Sequence, residues 1–537
     1  MRRIAVCLVA VGATVGSVVA CGDDGQGSRA DSVQATDGVE AETEVEFEVE
    51  VEVEFEVESE SETEPETEPE TESETESDVA TESETETESE VTPPAPPAAV
   101  LTIAEIPLSM NGAVPSLDPP LTWRLRANRA HLTLDVLPEP TSGPIDAIAI
   151  TCQADGVDQP LPPLEAAPDG HQRIVIDPAS AFPDGAQLHC DATITGPGGE
   201  VTSRIDFDAA TLPPELDPFP ATDEWLIVLS RDIFHVNLAE HLDGTAALTS
   251  DYIPGGDGVP DFDEAFFALG LFPADHAAEH QAIRQHLLGK FRSLVYQIYG
   301  LDPDGAPTAE GVNLRIYLEG DAGAPLPSDY GGARRFSKIA LGGDGDPEDQ
   351  ASSVFGRARV DWNNQDTEDD TVYGLGVFPS SLARTVLGQP AGAIILADIR
   401  PGLGGQPFGS IASDAAFIGR DVELTTLPPA VQDRARLYQI LIDFGALGLA
   451  AILTHEVGHS LGLVPVGLPP EGLFAGIDVD FVVAVAPDAH IDTEGLNVMQ
   501  TGGSVNWLEV ATGDSPRFEP LSWAYLKRML VVGTVAD

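Results

Sequence analysis

The chain has 537 residues, more than one hydrophobic core accommodates, so two or three domains are expected once tails are set aside. Its 90 Asp and Glu against 26 Lys and Arg leave a formal charge of -64. Such an acidic surface excludes nucleic acid and anionic membrane faces as electrostatic partners.

The N-terminal stretch "MRRIAVCLVAVGATVGSVVACGDDG" begins with two arginines, continues as an apolar run and ends in small residues before Cys21. That is the layout of a secretory signal over residues 1–20. Its end, "VVAC", resembles a bacterial lipobox, which implies lipidation at Cys21 and export to the cell envelope, at the outer membrane or cell surface. A plain signal peptide is the alternative, and both take the mature chain out of the cytosol. Membrane contact is expected through the lipid anchor only. Elsewhere the closest approach to a spanning segment is "FGALGLAAILT", about half the needed length.

Residues 21–97 read as a disordered stalk. From Glu40 to Glu90 there are 25 acidic residues and no basic ones. The alternation "EVEFEVEVEVEFEVE" has the period of a strand, but a sheet would set like charges side by side, and the following "SETEPETEPETESETES" has no apolar face.

Residues 98–213 carry short alternating runs broken by Pro, Gly and Asp: "HLTLDVL", "DAIAITCQA", "HQRIVID", "QLHCDATITG" and "VTSRIDFDA". Strands at this spacing predict an all-β sandwich. Cys152 and Cys190 sit in two of them and are the pair left outside the signal, so an exported chain is expected to join them as a disulfide. With Trp123 upstream the segment resembles an immunoglobulin-like domain, although the usual order of Cys, Trp, Cys is missing. Such a domain more often spaces or binds than catalyses.

Residues 214–537 change to a mixed pattern. "DEWLIVLS" and "VNLRIYLEG" read as strands, separated by a helix over "DHAAEHQAIRQHLLGKFRSLVYQIYG". "AGAIILADI" reads as a further strand, and a long helical pattern then runs through Leu437, Ile440, Leu441, Phe444, Leu447 and Ala451. The order suits an α+β catalytic domain.

That last helix ends in "THEVGHSLGLVPVG", residues 454–467. His455 and His459, four apart on a helix, lie close enough to converge on one ion. Glu456 points aside, where it can take a proton from a metal-bound water without ligating the metal. Chance occurrence of H-E-x-x-H in a chain of this length and histidine content is on the order of 1%. Zinc needs a third protein ligand, leaving the fourth position to water.

The stretch "HEVGHSLG" resembles the metzincin clan of zinc peptidases. The resemblance implies that Gly462 ends the helix in a sharp turn, with a third histidine three residues later, where this chain has Pro465. It also implies a methionine turn beneath the metal, about eight residues after the third histidine in the matrixin branch, and "HIDTEGLNVMQTG" offers His490 with Met499 nine residues on. Residues 463–489 then read as an insertion with a strand at "GIDVDFVVAV", and the ligands as His455, His459 and His490. A carboxylate from Asp478, Asp480 or Asp488 is an alternative third ligand. A downstream glutamate, Glu494 or Glu509, is weaker because neither lies in a helical setting. The clan further implies a mixed sheet beside the active-site helix, and a substrate laid along an edge strand above it.

Two other features carry metal chemistry in principle. "HAAEH", His276 to His280, matches the inverted motif H-x-x-E-H, but polar neighbours suggest histidines facing water. "GGDGVPDFDEAFFALG" places Asp257, Asp261, Asp263 and Glu264 before a helix, a candidate Ca2+ loop weighed against a solvated turn. "DWNNQDTEDD" reads as merely acidic. The expected whole is a multidomain, monomeric, cell-surface zinc endopeptidase acting on protein or peptide substrates. The competing reading is a surface-binding lipoprotein whose peptidase-like domain no longer cuts.

Overall fold

The alternating runs of the first folded region form nine strands: β1 (Ala99–Ile103), β2 (Trp123–Arg126), β3 (Leu132–Pro138), β4 (Ala147–Ala154), β5 (Val157–Gln159), β6 (Glu165–Ala166), β7 (Gln172–Ile176), β8 (Gln187–Gly196) and β9 (Gly199–Ala210). The computed structural model describes residues 94–103, 123–126, 132–139, 142–167, 171–177, 182–210, 222–240, 246–308, 311–345, 347, 354–361, 364, 366–388, 390–463, 497–500, 516–518, 520–527 and 530–532. The expected signal, Cys21, the acidic stalk, His490 and the alternative ligands Asp478, Asp480, Asp488, Glu494 and Glu509 lie outside the described residues.

One sheet has the order β1-β3-β7-β6, with antiparallel neighbours throughout. The other runs β2-β9-β8-β4-β5 and is antiparallel except between β2 and β9. Alternation decides which face is buried: along β8, Leu188, Cys190, Ala192 and Ile194 point inward. They share a core with Leu101, Leu134, Val136 and Ile174 of the first sheet. Cys152 and Cys190 are bonded and stand directly opposite each other on β4 and β8. The bridge therefore lies within one sheet, whereas antibody domains use theirs to join two.

The second region is built on β10 (Asp223–Val228), β11 (Phe234–Glu240), β12 (Ala246–Tyr252), β13 (Leu314–Leu318), β14 (Ser337–Ala340), β15 (Gly356–Arg357), β16 (Asp369–Asp370) and β17 (Gly376–Val377). Strand β10 lies between β13 and β14, with β16 beyond, and every pair in this sheet is parallel. Leu341, just after β14, bridges to Val377 of β17, and β15 pairs antiparallel with β17. Trp225 and Ile227 of β10 are buried, as the continuous apolar run of a central parallel strand requires. The last strand of the chain, β18 (Leu530–Val532), returns to the first region and pairs antiparallel with β2.

Six helices complete the described fold: α1 (Asp261–Leu269), α2 (Ala277–Tyr299), α3 (Pro379–Gly388), α4 (Pro390–Leu396), α5 (Pro429–Ser460) and α6 (Pro520–Leu526). Helix α4 replaces the strand expected over "AGAIILADI". An apolar run this short has no distinguishing period, and the proline at its first helical position favours a helix start. Helix α5 packs on α2, burying Ile283, Leu287, Phe291 and Val295 with Tyr438, Ile442, Leu449 and Leu453. Gly445 faces Leu287, and a Cβ there would meet its methyl at 3.4 Å. Complete burial of such side chains stabilises by about 1.5–3 kcal/mol each. By length and composition α5 could cross a membrane, contrary to the sequence expectation, but 61% of its most apolar window is buried inside the fold. It is a core helix.

The loop closed by the disulfide spans 38 residues. By loop-closure entropy, Cys152→Ser/Cys190→Ser should destabilise the two-sheet region by about 4 kcal/mol. Denaturant unfolding, with and without reductant on the wild-type chain, measures this.

Candidate metal centre on helix α5

The apolar face that seats α5 also buries its last turns. His455, Glu456 and His459 are 8%, 2% and 6% exposed. The approach of α2 fixes the entry to the motif, because the Tyr299 hydroxyl donates to the Thr454 carbonyl at 3.0 Å. The helix stops at Gly462, whose φ of 86° lies in the left-handed region. There the Gly462 N–H donates to His459 O and the Leu463 N–H to Gly458 O, which turns the chain back under the helix end.

Both imidazoles are oriented through backbone carbonyls. His455 Nδ1 lies 2.7 Å from Val498 O, and His459 Nδ1 lies 3.3 Å from Leu463 O. A carbonyl only accepts, so Nδ1 of each ring carries a proton, which leaves Nε2 as the atom that can ligate a metal. The two Nε2 atoms face each other at 3.1 Å. Two ligands about 2.0–2.1 Å from a tetrahedral ion stand roughly 3.3 Å apart. The pair has the tautomer and the spacing of a divalent-metal half-site.

The carbonyl that holds His455 belongs to a tight turn over 497–500. The Gln500 N–H donates to Asn497 O at 3.2 Å, and the Met499 N–H to Asn497 Oδ1 at 3.1 Å. Met499 is fully buried and packs against α5 at Gly458, where a Cβ would lie 2.6 Å from its sulfur. The methionine singled out in the sequence thus sits under the helix turn between the two histidines.

Glu456 points to the other side, against strand β15. A Cβ on Gly356 would lie 2.4 Å from Glu456 Oε1, and the Ala358 N–H hydrogen-bonds to the same carboxyl group. Burial, and then the nearby Asp370, push the Glu456 carboxyl well above the usual carboxylate range, while Arg357 pulls the other way. Its Oε2 has no hydrogen-bond partner among the described residues. Asp370 is itself fully buried, and desolvation raises its carboxyl to about 7. It lies 3.4 Å from Ser460 Oγ, one residue past His459. Asp370 closes the stretch read as merely acidic; its burial depends on pairing with β14, which local sequence does not encode.

The acids of the candidate calcium loop separate. Asp261 is buried and faces Arg231 at 3.0 Å, also accepting from the Ile233 and Phe234 N–H groups. Asp263 accepts from Arg284 at 2.8 Å. Asp257 and Glu264 instead meet at His235, 2.7 and 3.2 Å from its Nδ1. In the inverted motif, His276 precedes α2, and His280 does not face water as expected. Its ring lies 4.8 Å from that of Phe267 and 5.0 Å from that of Phe272.

No family model matches the chain, and no curated protein matches it. A solved structure described as "Anomalous substructure of Titin-A168169" is similar at 11% identity, over 25% of this chain and 64% of that chain. Its TM-score of 0.12 carries no argument about fold or function.

Gly458 gives an observable sign. In an exposed helix interior Gly→Ala stabilises by roughly 0.5–1 kcal/mol. Here Gly458→Ala should destabilise by about 1–3 kcal/mol through collision with Met499, and adding Met499→Ala should recover part of the loss. Thermal unfolding of the two variants measures it.

Proposed function

We propose that this chain is an exported, zinc-dependent endopeptidase of the metzincin clan. The observation that carries the reading is the pair of buried imidazoles, each tied by Nδ1 to a backbone carbonyl, with the two Nε2 atoms 3.1 Å apart. The motif spacing, the left-handed Gly462 and the methionine packed beneath Gly458 add to it. His455 and His459 would hold the ion with His490, or with an aspartate of the 463–489 segment, as third ligand.

Zinc bound there would supply a water whose pKa is lowered to about 7 and a Lewis acid for the scissile carbonyl. With a cation beside it to favour its ionised form, Glu456 would be the base: its Oε2, without a hydrogen-bond partner among the described residues, would take the proton of the attacking water and pass it to the leaving amine. Its burial keeps bulk water from competing for that proton. Strand β15, antiparallel at the end of β17 and in contact with Glu456, is the natural rail for an extended peptide. Gly356 leaves room for the carboxyl beneath it.

The remaining parts serve placement. Cys21 would carry the lipid that anchors the chain at the bacterial cell envelope, and the acidic stalk would hold the folded region away from it. The two-sheet region, read as immunoglobulin-like, acts as a spacer or binding module on a monomeric chain.

Purified protein is expected to hold zinc that His455→Ala removes, and to cleave a general protein substrate in a chelator-sensitive way. Glu456→Gln should retain that zinc and lose about a hundredfold or more in kcat. Activity unchanged in Glu456→Gln would sink the enzyme reading, and zinc retained in His490→Ala but lost in Asp478→Ala would reassign the third ligand.

A further inference from the structure

The second region brings together three groups that the α5 site does not use. His235 lies on β11, Asp257 in the loop before α1, and Glu264 in the first turns of α1. One ligating atom from each lies within 4.8 Å of the others. Ligands about 2.0–2.2 Å from a tetrahedral ion stand roughly 3.3–3.6 Å apart. Glu264 Oε1, 3.2 Å from His235 Nδ1, is close to that separation, and Asp257 Oδ2, at 2.7 Å, stands at the hydrogen-bond distance that an ion entering the cluster would widen.

Each carboxylate is anchored by one oxygen and delivers the other. Glu264 Oε2 accepts from the Val236 N–H at 3.0 Å, and Asp257 Oδ1 from the Val259 N–H at 2.9 Å. Asp232 fixes the loop by accepting from the N–H groups of Asp257 and Gly258. Gly256, at φ 74°, passes so close that a Cβ would strike the Asp232 carboxyl at 2.3 Å.

An ion pair alone balances this cluster poorly. A single Nδ1–H serves two carboxylate oxygens, and an imidazolium brings at most one positive charge to two acids. Glu264 is 5% exposed, and its carboxyl group is held by the Val236 N–H while facing His235. A dication answers both charges at once.

We propose that His235, Asp257 and Glu264 bind a second divalent ion of the zinc class, separate from the α5 site. The imidazole nitrogen argues for a transition metal over calcium or magnesium, which take oxygen ligands. The His235 side chain is 47% exposed, so the remaining coordination position opens to water and the ion has a path in. Bound there, the metal pins hairpin β11–β12 and the 253–260 loop to α1. Asp261 and Asp263, engaged by Arg231 and Arg284, take no part.

Chelator-stripped full-length chain, dialysed against Zn2+ and assayed for metal per folded chain, tests this. Wild type is expected to hold one equivalent more than His235→Ala, and Glu264→Gln should lose the same equivalent. His455→Ala/His459→Ala should keep it, and millimolar Ca2+ should not displace it. Equal zinc in wild type and His235→Ala overturns the site, and displacement by Ca2+ overturns the metal class. Zinc remaining in His235→Ala, with an unchanged near-ultraviolet circular dichroism spectrum, shows that this variant has folded. An equivalent lost in His235→Ala but untouched in His455→Ala/His459→Ala upholds the inference even where the peptidase reading fails.

Discussion

Two imidazole nitrogens held facing each other across 3.1 Å are the constraint around which the α5 end of this protein is organised. Neither imidazole is free to turn away, because Val498 O and Leu463 O hold the opposite nitrogens. Those carbonyls are in place only because two turns put them there. One is the left-handed exit at Gly462, and the other is the tight turn over 497–500, closed by Asn497. Met499 locks the second turn against α5, and only a glycine at 458 admits it. Close packing beneath the histidines thus maintains their approach.

The rest of the domain supplies rigid backing. Tyr299 ends α2 with its hydroxyl on Thr454 O, and its ring lies 5.2 Å from that of Phe518, which stacks on Trp523. Phe518 and Trp523 lead from this aromatic cluster through α6 to β18 in the sheet of the first region. The first region and the α5 site are joined by main-chain pairing as well as by a continuous apolar core. A chain cut at residue 213 would leave β18 without its partner strand.

How much was legible in the sequence follows from how local each determinant is. The histidine spacing and the glycine exit are encoded within a few residues, so H-E-x-x-H and Gly462 could be placed on a helix end directly. The approach of Met499 to Gly458 is a long-range contact that local spacing does not encode, and only the family resemblance points to that residue. The strands of the first region were legible from their period of two, and their residues alternate as expected along β8. The run "AGAIILADI" was misread because seven apolar residues fit either period. Residue-level burial was the main blind spot. Asp370 looked like one more solvated acid, His280 like a surface histidine, and the acids at 257–264 like one loop site. In the fold Asp261 and Asp263 turn to arginines distant in sequence, while His235 arrives from another strand to meet Asp257 and Glu264.

The most direct test of the central claim is to locate the metal. Crystals of the zinc-loaded chain, with diffraction recorded on both sides of the zinc absorption edge, should show an anomalous peak about 2.0–2.1 Å from Nε2 of both His455 and His459. The third protein ligand would be read from the same map. A map with no peak in bonding reach of both nitrogens, or with either ring turned so that Nε2 meets a protein donor, would contradict the account.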